Sequence, residues 1–188
     1  MKTIALVFAP ILLLASSSLA PAQTTKPPEH TTASQVADYW ITNTEEHLVS
    51  AADAMPADKY DFAPTNGAFQ GVRTFAEQVK HLAANNYRMA AKIMGEKPTP
   101  DQENETGPES VKTKAEIMEY LRGSFTALHK AMATMNDKNI AEPIPGRSGT
   151  WQKARLGLAI DAVAHSFDHY GQMVEYLRMN GIIPPGSK

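Results

Sequence analysis

The chain has 188 residues, with 18 Lys and Arg against 20 Asp and Glu for a net charge of −2, and no cysteine. That length suits one domain with a single core, and the balanced, unclustered charge gives no electrostatic footprint for nucleic acid. The missing thiols exclude disulfides, thiolate nucleophiles, Fe–S clusters and cysteine-ligated zinc, so metal or acid–base chemistry falls to His, Asp, Glu and backbone groups.

Residues 1–22 read as a secretory signal. Lys2 supplies a short positive start, Ile4–Ala15 is an apolar run, and Ala20-Pro21-Ala22 places small residues before a cut at Gln23. The apolar run falls short of the roughly 20 residues that span a bilayer. No stable membrane insertion is therefore expected after cleavage, and the product is expected to be secreted or periplasmic in a bacterium. Residues 23–31, with Pro27 and Pro28 and few apolar groups, are expected to form a disordered leader, and 32–188 the folded domain.

Four helical segments follow. Thr32 and Gln35 fit a capping box that opens a run to about Met55, stopped by Pro56, with a mixed stripe of Val36, Tyr39 or Trp40, Asn43, Glu46 or His47, and Ser50. Thr74 and Glu77 open the second, striped by Phe75, Val79, Leu82, Asn86, Met89 and Ile93 and ended by Gly95. Thr113 and Glu116 open the third, striped by Ile117, Leu121, Phe125 or Ser124, Leu128, Met132 and Met135. The last, from about Trp151 to Asn180, carries Leu156, Ile160, Val163, Phe167, Tyr170, Val174 and Leu177; Gly181 sits at its cap and Pro184-Pro185 prevents resumption.

Few β-branched residues interrupt these runs, so strands are not expected and the fold class is an all-α four-helix bundle. The connections, roughly 56–73, 95–112 and 136–150, are each long enough to cross a helix length, which leaves topology open. The first, with Tyr60, Phe62 and Phe69, is expected to cap one end of the bundle. The acidic stretch Pro98–Ser110 is expected to be an exposed loop without a binding role.

Among six histidines, one pattern stands out: His165-Ser166-Phe167-Asp168-His169. Four residues on a helix return to the same side, so both rings converge on one point where neutral imidazoles ligate a divalent ion. A third ligand must come from another helix. His81, beside the Leu82 stripe with Glu77 and Asn85 one turn away on either side, is the best candidate; His47 and His129 read as ordinary surface or interface residues, and His30 as solvated. Asp161 or Asp168 could orient an imidazole N–H, and Asn85 and Tyr170 could position a ligand. No glutamate follows His165, so the general base of a His-Glu-x-x-His peptidase is absent.

The tail HSFDHYGQMVEYLRMNGIIPP, His165 to Pro185, together with TFAEQVKHLAANN, Thr74 to Asn86, resembles the DinB-like (DinB/YfiT-like) four-helix bundles. The resemblance spans the chain from the first helix onward and implies up-down-down-up connectivity. It implies a divalent metal held by His81, His165 and His169: nickel or zinc first, iron or manganese after them. It also implies a small-molecule substrate, a metal-dependent hydrolase or thiol S-transferase activity, and a homodimer as one assembly. Reduced thiol cofactors belong mainly to the cytoplasm, so an exported member needs another thiol supply or another reaction. The competing reading is a non-enzymatic bundle that binds metal or a small ligand.

Overall fold

The computed structural model describes residues 31–144 and 154–187; the expected signal segment, the leader up to His30, and Trp151 lie outside the described residues. Among the described residues there are five α-helices: α1 Ala33–Ala54, α2 Phe75–Met94, α3 Pro100–Glu103, α4 Lys114–Ala133 and α5 Arg155–Met179. Short 3₁₀ turns occupy Ala57–Lys59 and Pro185–Ser187. Among the described residues there is no strand, only an isolated bridge between Pro143 and Ala154. None of the helices in the described residues is long and apolar enough to cross a membrane.

Three of the long helices, α1, α2 and α4, start where local chemistry says they should, whereas α5 starts after Ala154 without a side-chain cap. Thr32, Thr74 and Thr113 each accept from the third helical N–H, and Gln35, Glu77 and Glu116 answer from that position to the cap's own N–H. Gly95 closes α2 at φ 78°, a left-handed conformation that costs glycine least. A fourth capping box, Thr99 with Gln102, starts α3 inside the segment expected to be plain loop, with Pro100 at its first turn.

The helix senses follow from end-to-end contacts. Ser34 Oγ donates to Met132 O (2.8 Å), while Lys114 Nζ donates to Asp53 O (2.6 Å) and Met55 O (2.9 Å), so α1 and α4 are antiparallel. Lys114 thereby also meets the negative end of the α1 dipole. Tyr176 Oη donates to Arg73 O (3.0 Å) and Asn85 faces His165, making α2 and α5 antiparallel. The first halves of α1 and α5 lie side by side, which makes them parallel. The order is therefore up, down, down, up for α1, α2, α4 and α5, with α1 touching α4 and α5, and α2 touching the same two. Because α2 and α4 run the same way, their connection must return along the bundle. It does so against α2, where Gly107 lies over Lys80.

The core is built mainly by the stripes of α2 and α4, every member of which is buried as expected, Phe75, Leu82, Ile93, Leu121, Phe125 and Leu128 completely. The α1 stripe is corrected. Its buried face is Ile41, Thr44, Leu48, Val49, Ala51 and Ala52, whereas Val36, Tyr39 and Trp40 are exposed. The α5 stripe shifts too, to Leu158, Ala159, Ala162, Ser166, His169, Met173 and Tyr176 along with Leu177, and Ile160 is 55% exposed. In both cases some bulky apolar residues marked the wrong edge: Trp40 and Ile160 face outward, while Ala51, Ala52, Ala159 and Ala162 share the buried faces with Ile41, Leu48, Leu158 and Met173. Tyr60 and Phe62 do cap one end, edge-on to Phe75 (5.3 Å) and Tyr176 (5.7 Å), while Phe69 stays exposed.

Candidate metal centre

His81 is offered by the second turn of α2, and His165 and His169 by consecutive turns of α5. The antiparallel packing of these helices brings the rings together: centroids are 5.1 Å apart for His81 and His165, 4.9 Å for His81 and His169, and 4.5 Å for His165 and His169. One ligand atom from each lies within 4.8 Å of the other two. His81 Nε2 and His165 Nε2 are 3.1 Å apart. Two nitrogens bound to one ion at about 2.0–2.1 Å sit about 3–3.4 Å from each other, so the spacing fits shared ligation. Among the described residues this is the one group of three able to hold a metal ion.

Two rings are anchored from behind. His81 Nδ1 donates to the backbone carbonyl of Glu105 (2.8 Å), and His169 Nδ1 donates to Gln78 Oε1. Each anchor puts the ring proton on Nδ1 and leaves the Nε2 lone pair for the centre. The His169 anchor is itself fixed: Gln78 Nε2 donates to Gln172 Oε1 (2.8 Å), and Gln172 Nε2 donates to Asp168 (3.0 Å). A carboxylate only accepts, so Asp168 sets the orientation of both amides and, through them, the tautomer of His169. His165 differs. Arg88 Nη2 donates to Asn85 Oδ1 (2.7 Å), which turns Asn85 Nδ2 toward His165 Nδ1 (3.1 Å). His165 then carries its proton on Nε2, facing His81; to ligate through Nε2 as a neutral ring it would shift that proton to Nδ1, with the Asn85 amide turning its oxygen to accept it.

Burial holds all three imidazoles below the ordinary histidine pKa of 6.5, and His169 is pushed down to about 4, its two neighbouring rings adding to the effect. Neutral rings are the ligating form. With no carboxylate in the triad, an ion held there would keep its full positive charge.

The expected triad is thus assembled as read from the sequence, and Asn85 joins it. Tyr170 does not; it packs edge-on against His47 (5.2 Å). Glu77 is spent in the α2 capping box. Asp168 acts on His169 only through two glutamines and Asp161 touches no ring by hydrogen bond, so the proposed direct carboxylate–imidazole contact is corrected. The acidic segment is corrected as well. The side chains of Asp101, Glu103, Glu105 and Glu109 are exposed, yet the Glu105 carbonyl holds His81. Gln78 and Gln172 were missed; the available signal was Gln78 three residues before His81 on the same helix face. His129 bridges α4 to α1 between Asp38 (2.7 Å) and Glu45 (3.1 Å). An apolar cavity of about 540 Å³ lies elsewhere between α1 and α5, lined by residues including Trp40, Ile160 and Phe167 and by none of the triad.

A four-helix bundle with a buried three-histidine cluster between two antiparallel helices belongs to the class of bundle proteins suited to hold one divalent ion. Residues 41–173 match the DinB superfamily, and the chain belongs to that family. A search of curated proteins returns no match.

Proposed function

We propose that His81, His165 and His169 bind one divalent metal ion and that the centre acts on a small molecule, as a metal-dependent hydrolase before a thiol S-transferase. The observation that carries this is the convergence of three imidazoles, all neutral, two of them with Nδ1 anchored so that Nε2 faces the common centre. The chemistry of a three-nitrogen donor set fits zinc or nickel, with iron and manganese less well served in the absence of a carboxylate. When bound, such an ion supplies Lewis acidity and lowers the pKa of a bound water or thiol. The chain's own contribution is to hold the rings: Glu105 O and Gln78 fix two tautomers, and Asn85 holds the half-buried third ring, His165. The apolar run before Ala20-Pro21-Ala22 supports export, which favours hydrolysis over use of a cytoplasmic thiol; N-terminal sequencing of the exported protein should begin at Gln23, and an intact Met1 would refute export.

The test is elemental analysis of protein purified without immobilised-metal chromatography, followed by metal titration of the chelator-treated form. About one ion per chain is expected. His165→Ala should lose most of the affinity with helical content retained by circular dichroism. Undiminished binding by that variant would refute the site. The apolar cavity between α1 and α5 favours a second, non-enzymatic reading, a bundle that carries a small apolar ligand.

A further inference from the structure

The charge around the triad is lopsided. Asn85 and Arg88 follow His81 at four- and three-residue steps, one and two turns farther along the α2 face that meets α5. Arg88 is half-buried, and its hydrogen bond to Asn85 (2.7 Å) is the one that the described residues give its five donors. Its Nε is enclosed with no acceptor, and among the described residues no carboxylate lies within 4.0 Å of it. On the other flank, Arg73 reaches Glu105 only at 3.7 Å. The nearby carboxylates do not offset this: Asp161 and Asp168 are exposed on α5, and Asp168 is engaged by Gln172.

A guanidinium drawn partly out of water without a counter-ion is costly. Set beside three uncharged imidazoles, it leaves the site with surplus positive charge before any divalent ion adds more. Resting on the reading of the triad as a metal centre, we propose that its ligand is a small carboxylate-bearing molecule and that Arg88 is the residue that selects the carboxylate. The planar fork of arginine matches a carboxylate and binds it by charge-assisted hydrogen bonds. One guanidinium suits a planar monoanion, whereas phosphate is met by several cations or by a helix N-terminus. Asn85, bonded to both Arg88 and His165, keeps the selecting group in register with the triad.

The experiment titrates cobalt(II) into the chelator-treated full protein and follows its visible absorption, alone and with saturating acetate, acetamide or methylphosphonate. In the wild type, acetate should tighten cobalt binding about tenfold, in line with one charge-assisted pair, and acetamide should leave it unchanged. Arg88→Gln should keep its circular dichroism and lose the acetate effect, read as the ratio of its own cobalt affinities with and without acetate because the substitution also frees Asn85 beside His165; Arg88→Lys should keep part of the effect. An undiminished acetate effect in Arg88→Gln overturns the proposal, as does an equal effect of acetamide or methylphosphonate. Failure of the wild type to take up cobalt in any arm is a separate outcome, which sinks the metal reading and this proposal with it.

Discussion

Gln78 shows how much a single uncharged side chain decides. It is 2% exposed and spans two helices, accepting from His169 and donating to Gln172. Its amide has one orientation that satisfies both neighbours, and Asp168 dictates which. Gln78→Leu keeps the volume roughly and removes the acceptor, so His169 loses its preferred tautomer. Metal affinity is expected to fall about 10- to 100-fold with circular dichroism unchanged, measured by competition against a chelator of known strength. His165 and His169 were legible in the sequence because a four-residue repeat on a helix has a fixed geometric meaning, and His81 was the candidate third ligand that the family resemblance also implied. Gln78 was not legible, since a glutamine in the first turns of a helix reads as solvated until α5 covers it.

At the scale of elements, α1 and α4 are joined by His129, whose ring meets Asp38 and Glu45 with its two nitrogens. Burial alone would lower its pKa, but the two carboxylates outweigh this and raise it above 6.5. A raised folded-state pKa means stabilisation that is complete below the unfolded value and lost as pH rises through the folded one. The triad has the opposite sign: its depressed values favour folding above 6.5 and lose that contribution as pH falls toward about 4. His129→Gln is therefore expected to destabilise by about 0.5–1 kcal/mol at pH 6, the pair being partly solvent-screened, and by much less at pH 9. Urea denaturation at the two pH values measures this. Equal destabilisation at both would mean that packing, not charge, holds the contact. The four long helices were legible from capping boxes and period, while the short α3 was not. The buried faces of α1 and α5 were not, because small residues such as Ala52, Ala162 and Ser166 carry little periodic signal of their own, while Trp40 and Ile160 pointed to an edge that the neighbouring helices leave uncovered.

For the molecule as a whole, the metal reading predicts a tie between α2 and α5, helices whose donors are 84 residues apart in the chain. An ion that binds only the folded state stabilises it by about 2.7 kcal/mol at a hundredfold excess over Kd. In a domain of this size that amounts to about 5–10 °C in Tm. Differential scanning calorimetry with zinc and with EDTA should show that gap in the wild type and none in His81→Ala; a gap that survives in the variant would place the ion elsewhere. The topology also explains the acidic segment. Parallel α2 and α4 force their connection back along α2, and it passes His81 on the way, so an unremarkable loop carbonyl becomes the anchor of a ring.

The sequence alone carried the four long helices, the starts of three of them, the pairing of His165 with His169, and the family. These depend on spacing within one segment, where φ/ψ periodicity converts position into direction. The tertiary structure was needed to show which helix faces touch, which polar groups stand behind each imidazole, and that no carboxylate among the described residues pairs with Arg88. Those depend on contacts between residues far apart in the chain, which local periodicity does not encode and which arise only when the helices choose their neighbours.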